Sequence, residues 1–92
     1  MDDNARQYDR VIREALVAHS DLGDAAREVE RDADLYAIGL TSLHSVRVLL
    51  AVEDALDVEI PEQHVGRALF SSIGHFSGVL LDITGATSGA ER

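Results

Sequence analysis

The stretch from Thr41 to Leu56 constrains this chain more than any other. Leu43, Val46, Leu49, Leu50 and Ala55 or Leu56 recur at helical spacing, and Val48 and Val52 widen the apolar arc beyond a single stripe. A helix that is apolar over so wide an arc cannot stand in water alone. It requires more than one packing surface, and so other helices around it. Thr41 and Ser42 can each cap its start. Pro61, which lacks an amide hydrogen and restricts Ile60 before it, keeps the helix from continuing.

Partners for that helix can be read on both sides. Tyr8, Val11, Ile12, Ala15 and Leu16 follow the i, i+3, i+4, i+7 pattern and predict a helix from about Asp3 to His19. Asp2, Asp3 and Asn4 supply capping oxygens and negative charge at its start. Ser20-Asp21-Leu22-Gly23-Asp24 breaks the pattern, with Gly23 as the stop. Ala25 to Arg31 reads as a short helical turn. Asp32 to Thr41 reads as an ordered loop that sends Leu35, Ile38 and Leu40 to the core. His64 to Phe70 is a candidate short helix. Ser71 or Ser72 caps a last helix carrying Ile73, Phe76, Val79, Leu80 and Ile83, weakened by Gly74 and Gly78. Tyr8, Phe70 and Phe76 are assigned to the core. The expected fold is all-α: a small bundle of three to four helices with a long loop between the first two. One domain spans 1–83, and 84–92 reads as a flexible tail.

Composition narrows the function. The formal net charge is −9, which repels nucleic-acid phosphates and anionic membranes and favours partners with basic docking patches. The hydrophobic fraction of 46% and the clear periodicity argue against disorder. No cysteine is present, so disulfides and thiolate metal sites are excluded. No apolar run reaches the length of a membrane span, and the acidic, polar N-terminus is unlike a signal peptide. The simplest expectation is a cytoplasmic monomer. His19, His44, His64 and His75 form no metal-ligand pair. No paired acid and base, nucleophile constellation or phosphate-cradling loop marks an enzyme.

Gly39-Leu40-Thr41-Ser42-Leu43 opens the second helix, and Glu53-Asp54 and Asp57-Val58-Glu59-Ile60-Pro61 close it. Together with the length, these segments resemble the acyl and peptidyl carrier protein family. That family's signature is a glycine turn running into Asp or Thr, then Ser, then an apolar residue, with an acidic helix end and Ile-Pro about twenty residues on. The resemblance spans roughly residues 8 to 83. It implies a bundle of the acyl carrier protein type and no catalytic residue. It also implies a 4'-phosphopantetheine arm on Ser42, transferred from coenzyme A by a phosphopantetheinyl transferase, whose thiol carries cargo as a thioester between a loading enzyme and downstream synthase enzymes. With no cysteine in the chain, any thiol on the mature protein must come from this arm.

In that reading Gly39 permits the tight turn, Leu43 anchors it to the core, and Ile38 and Leu40 hold the loop. His44, Arg47, Glu53, Asp54, Asp57 and Glu59 are candidates for partner docking, and His44 for flanking the arm. The four acids read equally well as a solvated helix end. Thr41 stands where many members have Asp, and His44 and Arg47 stand where fatty-acid-type carriers usually have acids. Both departures point to specialised biosynthesis, with a polyketide unit, an activated amino acid or a fatty acyl group as cargo. The alternatives are a primary fatty acid synthesis carrier and an interaction module that kept the fold without modification.

Overall fold

A computed structural model describes residues 3–84. Three α-helices carry the architecture: α1 (Asp3–His19), α2 (Ser42–Leu56) and α3 (Ile73–Thr84). Helix α1 packs against both others, and its buried stripe is the predicted one, with Tyr8, Ile12, Ala15 and Leu16. Helix α2 contributes Val48, Leu49 and Val52, and α3 contributes Ile73, Phe76, Val79 and Leu80. Phe76 meets Phe70 edge to face, with ring centroids 5.1 Å apart, the arrangement that aromatic quadrupoles favour. Tyr8, Phe70 and Phe76 are thus core residues.

Between α1 and α2 the chain makes a 3₁₀ turn, Gly23–Arg27, somewhat earlier than the turn expected from Ala25 to Arg31. Polar clamps hold this loop. Arg13 Nη1 donates to the carbonyls of Ala26, Arg27 and Val29 at 3.1, 3.3 and 2.7 Å. Arg31 donates through Nε and a terminal nitrogen to the two carboxylate oxygens of Asp9, at 2.6 and 3.2 Å. The Asp9 hydrogen bond holds the Arg31 guanidinium pKa above its ordinary value, against the opposing effect of burial. The Gly74 amide donates to the Arg31 carbonyl at 2.8 Å, so one residue joins α1, the loop and the start of α3.

The second half of the chain differs from expectation in detail. The short helix expected over His64 to Phe70 is instead two 3₁₀ turns, Glu62–His64 and Arg67–Phe70, separated by Val65 and Gly66. Ser72, rather than Ser71, caps α3, its hydroxyl accepting the His75 amide at 3.0 Å. Thr84, expected to begin the tail, is the last residue of α3 and accepts a hydrogen bond from the Tyr8 hydroxyl at 3.1 Å. The rest of that tail, 85–92, lies outside the described residues, as do Met1 and Asp2. No helix among the described residues is long and apolar enough to cross a membrane.

Candidate functional site

The site is built around the start of α2. Leu35 and Leu40 are buried, and the Leu40 amide donates to the Leu35 carbonyl at 3.0 Å, so the chain between them is pinched into a small loop. Asp34 Oδ1 accepts the amides of Tyr36 and Ala37 at 3.0 and 3.3 Å, fixing its first residues. Gly39 closes the loop at φ +124°, a conformation that side-chain-bearing residues rarely adopt. Its surroundings leave ordinary room for a Cβ, so the requirement is one of backbone conformation. Ile38, expected in the core, is 47% exposed, because the pinch turns it outward between the two leucines.

Thr41 is the cap. It is extended (φ −102°, ψ 162°), and its Oγ1 accepts the His44 amide at 3.2 Å. Ser42 is the first helical residue. Its side chain is exposed, and among the described residues its hydroxyl has no hydrogen-bond partner. The Ser42 carbonyl accepts the Ser45 hydroxyl at 2.7 Å, which stiffens the first turn from beneath. The result is a free hydroxyl on a rigid helix start, where unpaired amides favour an attached anion. Leu43 does not anchor this turn. It is 63% exposed, because α2 meets the core through Ser45, Val48, Leu49 and Val52 on another face.

A cleft of about 270 Å³ opens beside Ser42, bordered by Ser45, Val46 and Leu49 of α2 and by Val65, Arg67 and Phe70 across from them. Tyr36 completes the wall, and the Arg67 guanidinium lies 3.9 Å above its ring centroid, a cation–π contact. A slender, partly polar chain attached at Ser42 fits this setting: an exposed attachment oxygen, an apolar wall and one nearby cation.

The remaining candidate residues divide by role. His44 does not face the cleft. Two residues beyond Ser42, it turns about 200° around the helix, and its Nδ1 is buried 3.9 Å from an Asp21 carboxylate oxygen. Glu53 is half-buried, and its Oε2 accepts the Ile60 amide at 2.8 Å, tying the helix end to the Ile60-Pro61 segment. Asp57 ends α2 in the left-handed conformation, φ 55° and ψ 48°. Arg47, Asp54 and Glu59 are exposed. The sequence reading missed an outward apolar stripe on α2, made by Leu43, Val46 (54% exposed) and Leu50 (58% exposed). The wide apolar arc of that helix was the available signal. It also missed the Arg67–Tyr36 pair, for which no local pattern exists.

Comparison with known proteins places this geometry in context. A family profile described as "phosphopantetheine attachment site" matches residues 12–75. The chain is 40% identical over 62 residues to an aminoacyl carrier protein of Agrobacterium fabrum, a match covering 67% of this chain and 75% of that protein. Its fold is similar to that of a chain in the crystal structure of an engineered Bradyrhizobium japonicum glycine:[carrier protein] ligase complexed with a carrier protein from Agrobacterium tumefaciens and ATP. The TM-score is 0.71 at 32% identity, covering 79% of this chain and 95% of that one. The corresponding complex with AMP gives a TM-score of 0.73 at 35% identity, covering 78% and 96%.

Proposed function

Because the chain belongs to the phosphopantetheine-bearing carrier protein family, we propose that Ser42 is its attachment residue and that its cargo is a single activated amino acid. The observation that carries the assignment is the division of labour at the helix start. Thr41 takes the cap, and the Ser42 hydroxyl is left exposed. A serine serving only as a cap would use its own oxygen on the helix amides.

The family fixes the prosthetic group as 4'-phosphopantetheine; when bound, it supplies a terminal thiol that holds an acyl or aminoacyl group as a thioester. The chain's own residues present and orient that group. Ser42 Oγ gives up its proton to the modifying enzyme and forms the new bond to phosphorus, the nucleotide part of coenzyme A departing. The amides at the start of α2 lie beside the resulting negative charge. Tyr36, Val46, Leu49 and Phe70 offer a wall for the arm's apolar portions. On this reading the chain is a substrate passed between enzymes and forms no bond in the cargo itself.

The aminoacyl reading is supported by the similarity to the aminoacyl carrier protein of Agrobacterium fabrum and to the chains in the glycine:[carrier protein] ligase structures with ATP or AMP. Loading would then be the work of an ATP-dependent aminoacyl ligase. The departures at Thr41, His44 and Arg47 agree with a dedicated partner rather than a generic fatty acid synthase. The docking face is the exposed stripe of Leu43, Val46 and Leu50 with Arg47, Asp54 and Glu59 beside it. His44, Glu53 and Asp57 contribute to that face through the structure they hold.

The test is intact mass and thiol titration after incubation with coenzyme A and a broad-specificity phosphopantetheinyl transferase. One added phosphopantetheine and one new thiol are expected, both absent in Ser42→Ala. Folded wild type left unmodified by several transferases would sink the assignment and favour an unmodified interaction module. Modified protein offered to an aminoacyl ligase should gain the mass of one amino acid. Acceptance of acyl chains from a fatty acid synthase, with refusal of amino acids, would refute the cargo.

A further inference from the structure

A second feature lies away from the attachment serine. Arg6, Arg10, Arg13 and Arg27 line one groove of about 410 Å³ between α1 and the Gly23–Arg27 turn, together with Asp9 and Glu14. These are four of only eight cationic side chains in a chain of net charge −9. The groove shares no residue with the cleft beside Ser42.

The internal structure already uses part of this group. Both Asp9 oxygens are taken by Arg31, Arg13 Nη1 serves three loop carbonyls, and Arg27 meets Asp24. Arg6 and Arg10 are exposed and have no ion-pair partner among the described residues. Arg6, Arg10 and Arg13 follow one another at i, i+4 and i+7, so like charges are neighbours along the helix, which opposes helix formation. Arg6 also stands close to the positive end of α1, where cations are disfavoured. Arg13 is occupied by the loop carbonyls, but no side-chain contact among the described residues offsets the placement of Arg6 and Arg10, and an external anion would relieve it.

We propose that this groove is a docking site for a short acidic segment of a partner protein, with carboxylates engaged by Arg6 and Arg10. Guanidinium forks suit paired carboxylates, and the arginine stems give apolar contact to side chains between them. The occupant is short because the rest of the chain is acidic: an extended polyanion or a second copy would bring repulsion over most of its surface. Since the groove and the Ser42 cleft are separate, the acidic segment can stay bound while a modifying or loading enzyme works at α2.

The experiment is fluorescence anisotropy of a labelled peptide of alternating glutamate and leucine, titrated with the full unmodified chain. Saturable binding is expected, weakening about tenfold or more from low to high salt as screening sets in. Arg6→Gln/Arg10→Gln should weaken it about tenfold, a loss of about 1.4 kcal/mol, while thermal melting and modification of Ser42 are retained. Arg6→Lys/Arg10→Lys should keep part of the binding. The proposal is overturned by an absence of saturable binding, by equal binding in the glutamine variant, or by equal binding of a peptide with glutamine in place of glutamate. Tighter binding of a single-stranded oligonucleotide would make the groove a nucleic-acid site. A concentration-dependent dimer lost in the glutamine variant would make a second copy the occupant, and either result overturns it.

Discussion

Arg13→Met keeps the aliphatic stem and removes the guanidinium that clamps the loop between α1 and α2. Nη1 carries two hydrogens, so of its three carbonyl contacts two can be full hydrogen bonds. The distances select Val29 at 2.7 Å and Ala26 at 3.1 Å, with Arg27 at 3.3 Å sharing. A buried hydrogen bond from a charged donor contributes about 1.5–3 kcal/mol. Here donor and acceptors are partly open to water, which screens the charge and can rehydrate the freed carbonyls. About 1 kcal/mol per bond, or about 2 kcal/mol in all, is the appropriate scale. A domain of this length has a total stability of about 5–14 kcal/mol, so the loss is substantial. It should lower Tm by about 8–16 °C, read by circular dichroism, and lower the urea midpoint with the m-value unchanged. Amide hydrogen exchange should accelerate first in residues 23–29. A Tm drop below about 2 °C would refute the reasoning. Water would then replace the guanidinium without loss, and buried Ala26 and Leu35 would suffice to hold the loop.

Three further variants test the packing. Ser77 is fully buried and its hydroxyl has no partner among the described residues, so Ser77→Ala should stabilise the chain by about 1 kcal/mol, seen as a higher urea midpoint; destabilisation would mean that a water satisfies the hydroxyl. Gly78 lies inside α3 with open space where a Cβ would sit, so Gly78→Ala should raise stability by about 0.8–1 kcal/mol through helix propensity, and an unchanged Tm would count against that account. Arg31→Gln should cost about 1–2 kcal/mol, reduced from the fully buried case because Arg31 is 40% exposed. Its folded pKa is raised, so the arginine's contribution is fully present below its ordinary value and is lost only as pH rises through the folded one. The gap between wild type and Arg31→Gln should therefore stay level from about pH 7 to pH 10, and a gap that closes within that window would contradict the assignment.

Residues whose roles are set by near neighbours were legible in the sequence. The α1 stripe, the Thr41-Ser42 helix start, the stop before Pro61 and the glycine at 39 all depend on spacing or local conformation, and all appear in the fold. Residues whose roles depend on the far side of the molecule were not. Ile38 and Leu43 were assigned to the core because they are apolar, yet both point outward; hydrophobicity alone cannot separate a residue that packs inside from one that waits for a partner. Arg13 meets carbonyls 13 to 16 positions away, and Arg31 meets Asp9 across 22 positions. No periodicity marks such pairs. The exposed hydroxyl of Ser42 lies between these cases: either it or Thr41 could have been the cap, and only the Thr41 contact to His44 separates them.

The cation stacked on Tyr36 beside the proposed attachment point has a chemical consequence. A thioester is an acyl donor, and any free amine or thiol within reach can take the acyl group for itself. Arg67 offers positive charge without that hazard, because a guanidinium stays protonated and has no available lone pair. Lysine at the same place would be an amine at the edge of the cleft. The whole sequence contains neither lysine nor cysteine. Its side chains therefore include no amine and no thiol to compete with the receiving enzyme for the acyl group.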